Sequence, residues 1–131
     1  VIVFPAREDD ARKLFAQANA EVQSGAYEAA THTLTQCVTA AERDGLDLHF
    51  SVYGLRGIAH YKCGRLDEAL NDTNHAIDLI ERELEADDQY ARLYYQRAMI
   101  HVELCDQKAA DSDFSHAVKF DPDRMFDPRV R

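Results

Sequence analysis

The sequence predicts an all-α fold, a solenoid of three helical hairpins. Three observations predict it: a turn signal that recurs, small residues that recur in step with it, and apolar residues at helical spacing between them. The turn reads Gly25-Ala26-Tyr27-Glu28-Ala29-Ala30, then Gly64-Arg65-Leu66-Asp67-Glu68-Ala69, then Cys105-Asp106-Gln107-Lys108-Ala109-Ala110. It returns after 39 residues from Gly25 to Gly64 and after 41 from Gly64 to Cys105. Ala18, Gly57 and Ala98 coincide upstream of it; Leu34, Thr73 and Phe114, then Cys37-Val38, Ala76-Ile77 and Ala117-Val118, coincide downstream. Self-similarity of this kind marks a repeat architecture, in which each unit buries its apolar face against the next.

In chain order, residues 1–9 read as an extended segment, 10–45, 49–87 and 90–121 as the three repeats, and 122–131 as a tail. The second unit shows the pattern best. Tyr53, Gly57 and Tyr61 follow four-residue spacing; after Gly64 come Leu66, Ala69, Leu70, Thr73, Ala76, Ile77 and Ile80 on one helical face. Ala30, Ala69 and Ala110 mark places where paired helices cross closely, because only short side chains permit it. Gly25 and Gly64 suit the left-handed conformation that ends a helix, whereas Cys105 at the third such place implies a more strained turn. Nothing stops the second helices of the first two units from continuing. The first is expected to reach about Asp44 before Gly45, and the second to run through Glu81-Arg82-Glu83-Leu84-Glu85 toward Asp87-Asp88. The third ends at Pro122 with no capping helix behind it, so the apolar side around Phe114, Val118 and Phe120 needs cover from Met125-Phe126 or from another chain, such as a second copy or a complex partner.

The 131 residues suit one domain, and 46% hydrophobic content supplies a core while 30% charged residues keep it in solution. A net charge of −9 repels phosphate, so neither nucleic acid nor a membrane surface is expected as a partner. Three cysteines without a Cys-x-x-Cys pair suggest neither a zinc knuckle nor a disulfide framework, and a reducing, cytoplasmic setting follows. The apolar run Val1 to Ala6 is too short for the core of a signal peptide.

These residues together resemble the tetratricopeptide repeat, from about Asp10 to Pro122. Tyr53, Gly57, Gly64, Ala69 and Ala76 fit in the second unit. Tyr94, Ala98, Ala110, Phe114, Ala117 and Pro122 fit in the third, and Leu14, Ala18, Gly25, Tyr27 and Ala30 in the first. The resemblance implies a right-handed α-solenoid; the departures are the longer period, against roughly 34 residues in the family, and Glu42 and Glu81 where a closing proline would fall. It further implies that the first helices of the hairpins line a concave groove for a partner segment. By alignment the groove holds Arg12, Phe15 and Asn19, then Ile58, Tyr61 and Lys62, then Arg92, Tyr95, Met99 and Val102. Apolar at its centre and edged by Arg12, Lys62 and Arg92, such a groove suits a helix or extended peptide with apolar anchors and some acidic residues. The carboxylate clamp by which some members of the family hold chaperone tails is not reproduced. Its places read Phe15, Asn19, Leu55, Arg92 and Gln96, and Leu55 can donate nothing to a carboxylate.

Catalytic and metal chemistry find little support. His60 and His101 hold equivalent places, as do His75 and His116, but no third ligand completes a zinc site, and His60 and His101 read as partly buried structural histidines. No phosphate loop or nucleophile elbow is present, and no cofactor or enzymatic activity is expected. Arg124, Arg129 and Arg131 make the one compact basic cluster. The resulting reading is a scaffold, adaptor or assembly subunit that binds a protein partner in its groove. The alternative is a dedicated chaperone that shields a client, as three-repeat export chaperones do.

Overall fold

The computed structural model describes residues 4–82 and 88–130, with side chains from Asp10 onward. Six helices follow in order: α1 (Phe4–Gln23), α2 (Tyr27–Asp44), α3 (Phe50–Lys62), α4 (Leu66–Ile80), α5 (Asp88–Glu103) and α6 (Gln107–Lys119). There is no strand among the described residues. The helices pair as α1/α2, α3/α4 and α5/α6; among the described residues each packs otherwise only on its neighbours, with α3 also touching α1 and α5. The period read from the turns sets the helix ends: α1, α3 and α5 end at Gln23, Lys62 and Glu103, and α2, α4 and α6 start at Tyr27, Leu66 and Gln107.

The three hairpin turns are one structure built three times. In each, the residue at the turn centre donates its N–H to the carbonyl three back and the next residue donates to the carbonyl five back. The pairs are Gly25 to Val22 and Ala26 to Glu21, Gly64 to Tyr61 and Arg65 to His60, Cys105 to Val102 and Asp106 to His101, all at 2.8–3.1 Å. This pattern closes a helix on a left-handed residue. Gly25 and Gly64 have φ of 83° and 79°, and Cys105 adopts the same conformation at 62°. The strain expected of a non-glycine at that place is therefore present.

Small residues at the crossings are wholly buried: Ala18, Ala30, Ala69, Ala98 and Ala110 are all at 0% exposure. Gly57 is held tighter still. A Cβ there would sit 2.7 Å from the Thr73 hydroxyl and 2.8 Å from the Gln96 amide, so α3 can meet both α4 and α5 only without one. The core falls into two clusters that straddle the hairpins rather than filling them singly. One joins Ala18, Leu34, Cys37 and Val38 to Val52; the other joins Ile77 and Ile80 to Leu93, Tyr94, Tyr95 and Phe114.

Two expectations about element limits are corrected. Residues 4–9, read as extended, belong to α1, which starts at Phe4. Helix α4 stops at Ile80, its last buried residue, instead of continuing through Glu85, and residues 83–87 lie outside those described. Glu81 caps that end, and its carboxylate accepts the Tyr94 hydroxyl at 2.5 Å. Helix α2, by contrast, runs its full 18 residues to Asp44, with Gly45 left-handed behind it at φ 68°.

The tail folds back on the third hairpin. Asp121 accepts from the Tyr95 hydroxyl at 2.8 Å and from the N–H groups of Met125 and Phe126 at 2.9 and 3.0 Å. Arg129 pairs with buried Asp127 and lays its guanidinium 3.9 Å over the Phe114 ring. Phe126 thus joins the cover of the third unit, while Met125 points away at 76% exposure. Arg129 is accordingly part of this lock and not of a basic cluster; Arg131 lies outside the described residues.

Candidate partner-binding cleft

The first helices present apolar and amide side chains along one stripe. On α3 the stripe is Ser51, Gly54, Leu55 and Ile58, and on α5 it is Gln89, Arg92, Leu93 and Gln96, both at the i, i+3, i+4, i+7 spacing that shares a helical face. With Phe15 and Asn19 of α1 they line a cleft of about 310 Å³ across all three hairpins. Its floor is close-packed: a Cβ on Gly54 would stand 3.2 Å from the Leu93 side chain. Gln96 fastens that floor by donating its amide to the Gly54 carbonyl at 3.1 Å and to the Thr73 hydroxyl at 2.8 Å.

Of the residues expected in the groove, Phe15, Asn19, Ile58 and Arg92 meet in this cleft. Arg12 lies in an adjoining apolar cavity, also of about 310 Å³, whose lining shares Phe15 and Ser51 with the cleft and reaches buried Cys37. Tyr61 and Lys62 stand on the last turn of α3, with the ammonium 6.0 Å from the ring centre. Burial raises the Tyr61 phenol pKa, and the charge of Glu103 adds to it. Met99 is half-buried against the third-unit core, and Val102 is exposed at 37%. Tyr95 is a correction: at 2% exposure, with its hydroxyl on Asp121, it is core and cannot meet a partner in the groove. The face of α5 that lines the cleft is rotated from the one the alignment suggested, onto Gln89, Leu93 and Gln96. The i, i+3, i+4, i+7 series beginning at Gln89 was the signal for it.

The clamp places do converge here, since Phe15, Asn19, Leu55, Arg92 and Gln96 all line the cleft. Their chemistry is engaged elsewhere, however: Gln96 is bonded to the floor, and Arg92 pairs with Asp88 at 3.5 Å and stacks 3.9 Å over Phe126. The cleft offers an apolar surface with polar edges and not a carboxylate trap.

Each hairpin also carries a polar tie at one repeated place. In the second, Arg56 grips Asp72 through two bonds of 2.7 and 2.8 Å with His60 beside it at 3.7 Å; in the third, Arg97 grips Asp113 through two of 2.8 Å with His101 at 3.7 Å. In the first, the same places hold a lighter version, Gln17 to Thr33 at 3.5 Å and Thr33 to Glu21 at 2.7 Å. Burial pushes the His60 imidazole pKa down although the Asp72 charge draws it up. Its Nδ1 accepts from Arg65 at 3.0 Å, which leaves the proton on Nε2 facing Asp72. Arg65 reaches on to Glu28 and Thr31 at 3.0 and 3.1 Å, tying the second hairpin to the first. No group of three metal-ligating side chains occurs among the described residues, and none of the described helices is long and apolar enough to cross a membrane.

The family model described as Tetratricopeptide repeat matches residues 48–123, more than half of the chain. A search of curated proteins found no match.

Proposed function

Since the chain belongs to the tetratricopeptide repeat family, whose repeats mediate protein–protein interactions, we propose that it is a scaffold, adaptor or assembly subunit that holds a helix or extended segment of a partner protein in the cleft between α1, α3 and α5. One observation carries the reading: the three first helices jointly line a largely apolar cleft, with the half-buried side chains of Phe15, Leu55 and Ile58 along it and Asn19 and Arg92 beside them. Apolar anchors seated between such residues supply the affinity, and Asn19 at the edge offers an amide to the backbone of the bound segment.

The test is capture of a stoichiometric partner by the intact chain and by a Phe15→Ala/Ile58→Ala variant that keeps its full helical spectrum. Both side chains are half-buried and Phe15 also packs on the first core cluster, so the retained helical spectrum and melting temperature of the variant are the control for the fold. Binding should weaken by more than about tenfold, because two truncated anchors each cost about 1 kcal/mol or more. Unchanged binding would move the interface off the cleft. Adaptor and chaperone differ in the lifetime of the complex, since a chaperone releases its client and a subunit stays with it.

A further inference from the structure

A second cleft, of about 370 Å³, opens where the connection between α2 and α3 meets the end of α4, and it shares only Phe50 with the concave cleft. Its walls have counterparts 41 residues further on. Tyr53 corresponds to Tyr94 and His75 to His116, and in both units the tyrosine and histidine rings stack, at 3.9 Å and 24° in the second and 4.2 Å and 26° in the third.

What lies over that stacked pair differs. In the third unit Tyr90 covers it, 5.0 Å from the Tyr94 ring, with its hydroxyl 3.5 Å from His116 Nε2 and 3.3 Å from the Glu81 carboxylate. Phe120 backs Tyr90 edge-on at 4.7 Å. In the second unit the place of Phe120 holds Leu79, and that of Tyr90 holds His49, which turns aside to pack on Phe50 at 4.0 Å and to bond Ser51. The stacked Tyr53–His75 pair is therefore left facing a cleft where the next unit holds a phenol. In the sequence Glu42 holds the place that Glu81 holds one unit later, and its charge adds to the burial that raises the Tyr53 phenol pKa.

We propose that this cleft is a second binding site, which takes the side chain of a tyrosine presented by a partner protein and seats it on Tyr53 and His75 as Tyr90 sits on Tyr94 and His116. Offset and tilted ring contacts hold the phenol, and its hydroxyl meets His75 as that of Tyr90 meets His116, so a tyrosine is preferred to an aliphatic side chain. The site does not depend on occupancy of the concave cleft.

The experiment is a two-dimensional NMR titration of the full chain with N-acetyl-tyrosinamide and, as control, N-acetyl-leucinamide. The tyrosine probe should give saturable shifts at Tyr53, His75 and Leu79, and the leucine probe none. Leu79→Phe with His49→Tyr rebuilds the third-unit cluster in the second unit; it should abolish the shifts and raise the melting temperature. His75→Ala, at an exposed position where the fold is not at stake, should abolish them too and decides the matter if the double variant does not fold. Absence of saturable shifts, shifts that survive His75→Ala, or shifts confined to Phe15 and Ile58 would each overturn the proposal, while leaving the concave-cleft reading untouched.

Discussion

At Cys105 the chain copies a glycine turn with a residue that resists it. A Cβ at left-handed φ costs about 1–2 kcal/mol, partly offset because glycine surrenders more freedom on folding. Cys105→Gly should therefore stabilise the protein by roughly 0.5–1 kcal/mol, and Gly64→Ala should destabilise it by a similar amount, both readable by denaturant unfolding. Neither result can be blamed on crowding, since a Cβ at Gly64 meets nothing within 4 Å and Cys105 is exposed. Asp121 and Asp127 invite a second measurement. Burial opposes ionisation of Asp121, but hydrogen bonds from Phe126, Tyr95 and Met125 outweigh it and hold its carboxyl below the usual range; Arg129 does the same for Asp127 against the cost of its burial. Folded values below unfolded ones mean stability that is present above about pH 4 and is lost as the pH falls through the folded values. Tyr95→Phe should remove part of that loss and cost roughly 1–2 kcal/mol at neutral pH, followed by thermal melts across the acid range. The turn at Cys105 was legible in the sequence because it aligned with two glycines. The burial of Tyr95 was not, because Asp121, which takes its hydroxyl, lies in a tail that follows no repeat.

Among the elements, the hairpins are separated by what each puts at the same polar place. Breaking a buried pair by removing one partner leaves the other charge stranded, so Arg56→Ala should cost about 3 kcal/mol. The first hairpin fills the same places with neutral partners, Gln17 and Thr33, joined by a single contact of 3.5 Å. Arg56→Gln with Asp72→Thr should then fall within about 1 kcal/mol of the parent, a non-additive result that a double-mutant cycle in urea would expose. Helix positions were readable because turn chemistry and small crossing residues recur at fixed intervals, and that signal is local. The end of α4 was less readable: Glu81 and Arg82 are good helix formers, and the change at that point is the loss of burial after Ile80, which depends on what packs there. The rotation of α5 in the cleft has a similar origin, since the stripe beginning at Gln89 competes with the one beginning at Arg92 and only packing of Tyr95 under the tail chooses between them.

For the whole molecule the governing fact is that packing is sequential, hairpin on hairpin, with core clusters shared across each junction. Stability in such a stack is a sum of unit and junction contributions, and the tail closes the last unit as a neighbour would. The same arrangement sets how the molecule yields to force. Pulled from its two ends, a protein whose distant parts all interlock gives way in one event, but here, among the described residues, no helix of the first hairpin packs on one of the third, so an end hairpin can peel away by breaking a single junction. Single-molecule extension should show separate releases, each paying out the 39 to 41 residues between successive turns, about 140 Å of chain at roughly 3.5 Å per residue. A single release of the whole length would mean the stack behaves as one cooperative body. Stepwise yielding would make the chain a compliant link, one that lengthens in stages while any partner held by the remaining hairpins stays attached.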